Sequence, residues 1–301
     1  SISVRIARSC AGALRAVTSA VRMRMALVPS CCKRCSAAST GLNGPADSGF
    51  ANGAQRKLTY LAEPLVKEFI EKMNTETHPE FVINLGDFIE DVNNREIDLG
   101  YFKKTHELFS TLQSPLYALI GNHDVRTLSD EDMLNILGYE KLYYSFDAGD
   151  YHFVCLSFTM TGNHRENLLD IKAEILPEQL EWLTKDLEAS NKPVVIFVHY
   201  GLAEDNMKGN FWFETAPHYA LLENKNEVKA ILEKSGKVKA VISGHQHWNR
   251  MKVENGIPYF VITSLIENFN NDGIAAEAHT IVDLDKEKIR VDVKGNDPAT
   301  F

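Results

Sequence analysis

The chain has 301 residues and a formal charge of −9. Hydrophobic residues at 44% and charged residues at 24% allow a sizeable core, which excludes a chain disordered throughout. No run of about eighteen apolar residues occurs, so no membrane-spanning helix is expected. The acidic balance argues against general nucleic-acid binding.

The charge is unevenly spread. Residues 1–55 carry Arg5, Arg8, Arg15, Arg22, Arg24, Lys33 and Arg34 against a single acid, Asp47, so the rest of the chain is strongly acidic. Cys10, Cys31, Cys32 and Cys35 also fall there, and the remaining cysteine, Cys155, lies in an apolar run, so the body shows no disulfide framework. Cys32-Lys-Arg-Cys35 has the spacing of a zinc half-site. No second Cys or His pair stands near it, and it reads as a chance occurrence. The Arg-, Ser- and Ala-rich segment resembles a transit peptide, or a stretch that is not the body's native N-terminus. Residues 1–43 are therefore set apart as atypical and loosely packed, and 44–301 as one domain. A cytoplasmic location is expected, or an organellar one if the segment is a transit peptide.

From about residue 56 helices and strands alternate. Leu58, Leu61, Leu65, Phe69 and Met73 recur at helical spacing, with the well-formed part starting at Pro64. Phe81–Leu85 is a buried strand leading into Gly86-Asp87. A second helix covers about 99–112, and Leu116–Ile120 is a strand leading into Gly121-Asn122-His123-Asp124. Ser129 and Asp132 predict a capping box for a short helix that Gly138 stops. Tyr143–Phe146 and Tyr151–Phe158 form a hairpin, and Pro177 opens a helix. Val194–Val198 is a strand ending in His199. A helix over 226–234 precedes strand Val238–Ile242, which leads into Gly244-His245-Gln246-His247. Ile257–Leu265, His279–Leu284 and Ile289–Val293 complete the strands.

Four strands thus end in Asp, Asn or His. Ligands of open α/β sheets gather outside the carboxyl ends of strands. One such histidine is commonly structural; four such tips are hard to explain by packing. Their nitrogen and oxygen atoms suit Mn, Fe or Zn.

The order Gly86-Asp87, Gly121-Asn122-His123-Asp124, strand-His199 and Gly244-His245-Gln246-His247 resembles the calcineurin-like metallophosphoesterases over about residues 45–295. The body is similar to bacterial single-domain members, among them cyclic-nucleotide phosphodiesterase-like and ADP-ribose/CDP-alcohol diphosphatase-like branches. The resemblance implies an α/β/β/α four-layer sandwich that hydrolyses a small phosphorylated substrate with two divalent metal ions about 3.5 Å apart. It implies that Asp87 bridges the metals, that Asn122, His199 and His245 complete the second site, and that His247 belongs to the first. It implies that His123 protonates the leaving group, oriented by Asp124. Monoester, diester and pyrophosphate substrates all stay open, as does the oligomeric state.

Other residues read more plainly. Glu90 and Asp91 are taken as solvated. Trp248 and Arg250 either line the phosphate side or form a surface ledge. Loop 201–220 is either a substrate wall or a packed connection. His78, His106, His152, His164, His218 and His279 are structural or exposed.

The family's opening Asp-x-His is missing. If Met23–Val28 is the first strand, Ser30 and Cys32 take those positions; if the body begins at Gly44-Pro45, Thr40 and Leu42 do. Asp47 is the nearby carboxylate. The first metal site is then expected to be weak or empty. Two readings stand: a metal-dependent phosphoesterase, or an impaired one-metal protein serving binding or scaffolding.

Overall fold

The computed structural model describes residues 23–28, 50–51, 54–161, 172–285 and 288–301. Ser30, the Cys32–Cys35 pair, Thr40, Leu42, Asp47 and His164 lie outside them.

The first strand, β1 (Met23–Val28), is buried in the middle of a sheet, antiparallel to the chain at 280–284 and parallel to the chain at 81–84. The expectation that everything before residue 44 packs loosely does not hold for these six residues. Their alternation explains why: Met25 and Leu27 point into one core and Ala26 and Val28 into another, and all four are fully buried. A strand apolar on both faces is bound to sit inside a sheet covered on both sides. Of the two registers for the start of the fold, this is the one the structure takes.

The short pair β2 (Phe50–Ala51) and β3 (Ala54–Gln55) is followed by helix α1 (Ala62–Lys72). The helix starts two residues before Pro64, which is tolerated because first-turn N–H groups need no intrahelical partner. Strand β4 (Phe81–Asn84) leads to α2 (Arg95–Phe109), which begins earlier than expected because the Asn94 side chain accepts from Ile97 N. After β5 (Leu116–Ala118), helix α3 (Asp130–Leu137) has the expected capping box of Ser129 and Asp132, and Gly138 ends it at φ 71°. The hairpin is β6 (Tyr144–Ala148) and β7 (Tyr151–Leu156). A small unexpected ribbon, β8 (Thr159–Thr161) with β9 (Lys172–Glu174), precedes α4 (Pro177–Ala189). Strand β10 (Val194–Val198), helix α5 (Lys225–Ser235) and strand β11 (Val238–Ser243) follow. Then come β12 (Arg250–Glu254), β13 (Ile257–Val261), β14 (His279–Leu284), β15 (Ile289–Lys294) and β16 (Ala299–Thr300). The exposed edge strand β12 was not expected; its side chains are mostly in water, so no apolar run marks it.

Among the described residues, twelve strands make two six-stranded sheets, ordered β16-β15-β14-β1-β4-β5 and β12-β13-β11-β10-β7-β6. The two face each other across a core of Met25, Leu27, Phe81, Ile83, Phe153, Cys155, Phe197 and Ile242. Alternate residues of the same strands, such as Val82, Val154, Ile196 and Val241, join the helices' apolar faces in a second cluster. This layering is consistent with an α/β/β/α order. Phe81 meets Tyr117, Phe146 and Phe153 edge-on, joining the sheets; full burial of such a ring contributes about 2–3 kcal/mol. Strands β1, β4 and β5 run parallel, as do β7, β10, β11 and β13, so the loops after β4, β5, β10 and β11 each leave a carboxyl end. No helix of the described residues is long and apolar enough to cross a membrane.

Candidate metal centre and active-site cleft

The chain leaves β4 through Gly86 at φ 99° and places Asp87 at φ 56°; His245 and His247 also have positive φ, 63° and 58°. Left-handed conformations cost energy for residues with a side chain, and they concentrate where a site needs them. Gly121 is equally constrained. A Cβ there would stand 2.0 Å from Asp87 Oδ1 and 2.3 Å from Asp87 N. The two glycines let the loops after β4 and β5 touch.

Asp87, His199 and His245 turn one ligand atom each to a common point, all within 4.8 Å of one another, and all three residues are buried. His199 Nδ1 donates to the Leu85 carbonyl at 2.8 Å, so its Nε2 presents a lone pair. That lone pair faces Asn122 Oδ1 at 3.1 Å and Asp87 Oδ2 at 3.5 Å. His245 Nε2 donates to the Tyr219 carbonyl at 2.9 Å, leaving Nδ1 for the centre. Burial holds both imidazoles below the ordinary histidine range, His245 well below, and neighbouring histidines add to this for each. Neutral imidazoles, a carboxylate and an amide oxygen facing one point are a donor set for a divalent cation, and the residues present fit one.

His247 Nδ1 donates to Glu267 Oε2 at 2.5 Å, which frees Nε2. Glu267 is fully buried and also accepts from Trp212 Nε1 at 2.9 Å, with Arg56 Nη1 3.8 Å away. A carboxylate behind a metal-binding histidine fixes its ring and tautomer. Sequence reading missed Glu267, which follows β13 and carries no motif.

His123 is placed differently from expectation. Its backbone N–H donates to Asp87 Oδ1 at 3.0 Å, and its Nδ1 donates to Asp91 Oδ1 at 2.7 Å. Asp124 is instead fully buried and accepts from Gly121 N at 2.8 Å and Ile89 N at 3.1 Å, clamping the two ligand loops together. Burial first, and then the Asp87 charge, push Asp124 well above the usual carboxylate range. The orienting partner of His123 is therefore Asp91, not Asp124. Asp91 is not solvated, with its side chain 6% exposed. Burial works to raise Asp91, but the bond from His123 and the charge of Arg126 outweigh it and hold the carboxyl low. Glu90 is likewise drawn in, pairing with Lys57 Nζ at 2.9 Å.

These groups open on a cleft of about 380 Å³. Asp87, Asn122, His123, His245 and His247 line it together with Lys57, Arg126 and Lys172, each cation paired with an acid: Lys57 with Glu90, Arg126 with Asp91 and Lys172 with Glu223. Trp212, Phe213 and Tyr219 line it, so loop 201–220 is a wall of the cleft; its Met207, Ala220 and Leu221 also pack inward on Trp248. Trp248 is buried under Arg250, whose guanidinium lies 4.1 Å from the indole ring centroid, and neither lines this cleft. His218, read as structural or exposed, lines it.

Residues 62–249 match the family described as calcineurin-like phosphoesterase. A manganese-dependent ADP-ribose/CDP-alcohol diphosphatase of Arabidopsis thaliana is 26% identical over 61% of this chain and 70% of its own. A 3′,5′-cyclic-nucleotide phosphodiesterase of a Nostoc species is 25% identical over 56% of this chain and 58% of its own. Among solved structures, a dimetal phosphatase from Danio rerio superposes with a TM-score of 0.70 at 16% identity, covering 94% of this chain and 99% of that one.

Proposed function

The chain belongs to the calcineurin-like phosphoesterase family, whose members hydrolyse phosphoric esters with divalent metals, and from that membership we propose a two-metal mechanism with His123 as general acid. Asp87, Asn122, His199 and His245 would hold one ion, and Asp87 with His247 would hold the other. Manganese is favoured among Mn, Fe and Zn because the Arabidopsis relative is manganese-dependent. When bound, the metals supply a hydroxide at neutral pH and neutralise charge on the phosphoryl group.

The protein's own residues do the rest. Asp91 fixes the His123 ring, so that Nε2 faces the cleft. Protonated there, the ring delivers its Nε2 proton to the leaving oxygen as the P–O bond breaks. Glu267 holds His247 in the tautomer that presents Nε2. Lys57, Arg126 and Lys172 offer N–H donors to a phosphoryl group, while the paired acids Glu90, Asp91 and Glu223 leave the attraction of an anion to the metals. A small phosphorylated compound, as monoester, diester or pyrophosphate, fits a cleft of this size.

The observation carrying this reading is that Asp87, His199 and His245 converge while His123 stands beside them across the same cleft. A second reading has one specific support. No Asp, Glu or His occurs between Val28 and Asp47, so the strand that is in place brings no ordinary ligand pair after it. On that reading the protein binds one ion and serves as a binding or scaffold protein. Metal content per chain, measured with turnover on a bis-nitrophenyl phosphodiester, separates the two. Two ions with turnover that a chelator abolishes support the first; one ion with no turnover supports the second. His123→Ala is expected to lose far more on poor leaving groups than on nitrophenolate, and equal losses would remove it as the acid.

A further inference from the structure

Lys57 lies in the turn before α1, outside every motif that marks the site. Its ammonium is nonetheless at the chemistry. Nζ stands 3.2 Å from His123 Nε2 and 2.9 Å from Glu90 Oε2, and 5.2 Å from the Trp212 ring centroid, with the side chain only 15% exposed. Because Nδ1 of His123 is committed to Asp91, this is the nitrogen that faces the leaving group. With Nδ1 donating to Asp91, the neutral ring accepts from Lys57 at Nε2; once the ring carries its second proton, the two groups are donors 3.2 Å apart that can both reach a single oxygen at about 2.9 Å.

We propose that Lys57 is a catalytic residue that hydrogen-bonds the leaving-group oxygen beside His123 and stabilises the negative charge developing there. The assignment rests on the phosphoesterase reading above. The balance is simple. The oxygen of an attacking hydroxide forms a new bond to phosphorus, the ester P–O bond breaks with its electron pair staying on the leaving oxygen, His123 transfers one proton to that oxygen, and Lys57 keeps all three of its own while donating a hydrogen bond. A preorganised cation in a partly desolvated cleft is worth most where charge appears in the transition state. A positive charge there also suits leaving groups that are poor, where most charge builds before the proton arrives.

The alternative is that Lys57 merely braces Glu90, and substitutions at the two positions separate the roles. A brace would be lost equally in Lys57→Met and Glu90→Gln. The test uses the manganese-loaded 301-residue chain on methyl aryl phosphodiesters whose phenols run from nitrophenol to unsubstituted phenol. Lys57→Met is expected to lower kcat by about 10-fold on the nitrophenyl ester and about 100-fold or more on the phenyl ester. Lys57→Arg should recover part of the loss on the poor leaving group. Glu90→Gln should cost about 3-fold or less, uniformly along the series. A uniform loss in Lys57→Met, or a Glu90→Gln loss that matches it, overturns the proposal. Isothermal titration of inorganic phosphate gives a second readout that needs no turnover, since one phosphate oxygen occupies the leaving-group position. Affinity about 10-fold weaker in Lys57→Met supports the assignment, and unchanged affinity sinks it. A wild-type chain with no turnover would instead remove the hydrolytic reading, and phosphate binding would still decide on Lys57.

Discussion

The second sheet carries a buried histidine at each end, and the two have opposite lives. His152 is the second residue of β7, paired with Val194 at the start of β10; His199 follows the end of β10. His152 is saturated, with Nδ1 on Asp147 at 2.7 Å and Nε2 on Asp186 at 2.8 Å. Burial opposes its charge, but the two carboxylates outweigh burial and raise its proton affinity. His199 spends one nitrogen on a backbone carbonyl and aims the other at two oxygens, and burial keeps it neutral. A histidine whose ring nitrogens both meet acids is part of the scaffold. One that keeps a lone pair among oxygens is a ligand waiting for a cation. Both residues are buried histidines, but His199 lies deeper and has only one nitrogen committed, to a neutral carbonyl, where His152 has both on carboxylates.

Breaking the ligand end should have the largest effect. His199→Ala is expected to lower turnover by about 10³-fold and to reduce metal content per chain, since it removes a central donor. The same change at His152 should leave kcat within about 2-fold. Metal analysis with kinetics on both variants checks this. A His152→Ala chain as inactive as His199→Ala, at equal folded content, would erase the contrast.

Gly121→Ala tests whether the ligand end depends on close backbone approach. The new Cβ would meet Asp87 Oδ1 at 2.0 Å and its backbone nitrogen at 2.3 Å, so the loops after β4 and β5 must part. A loss of about 2–3 kcal/mol in urea melts is expected, with turnover down at least about tenfold. Wild-type stability and activity would show that the loops are not held together as they stand.

The first sheet offers a milder test. Val28 of β1 is in register with Asn84 of β4, and Asp87 follows Asn84 closely, whereas Ser30 and Cys32 follow Val28. Ser30→Asp with Cys32→His is expected to raise metal content per chain and to increase turnover by about tenfold. An unmodified chain already holding two ions, with no gain from the double change, would show that the first site finds its ligands elsewhere.

Much of this arrangement is legible in the sequence. Strands such as Val194–Val198 are apolar on both faces and have no other stable place than inside a covered sheet. The tips Asp87, Asn122, His199 and His245 sit where their strands end, so locating the strands located them. What stayed hidden depends on contacts distant in sequence. Asp91 was read as solvated because nothing local showed that the turn at Asp87 folds it back on His123, 32 residues away. Lys57 reaches His123 across 66 positions, and Glu267 reaches His247 from a loop without a motif. The strand β1 is hard to see in the sequence because the basic composition around it masks its alternation; six residues of good pattern weigh little against the flanking residues 1–22 and 29–43 of another character.

The smallest effect concerns the scaffold histidine, and its sign follows from the bonds. In the folded protein Asp147 and Asp186 raise the proton affinity of His152 above that of a free histidine, about 6.5. A group bound more tightly to its proton when folded contributes stability that is fully present below the unfolded pKa. That stability is lost as pH rises through the folded pKa, which lies higher. Asp147 is 55% exposed, so solvent screens part of the pair and the contribution is modest. His152→Gln preserves size and hydrogen bonding without the charge. Its melting temperature should fall below wild type by on the order of a few degrees at pH 6, and the gap should narrow at pH 9. Thermal melts of both proteins at the two pH values, in the presence of a chelator to exclude metal effects, give the comparison. A gap that widens toward pH 9 would mean that His152 folds as the neutral ring, and that the two ends of the sheet do not differ in charge.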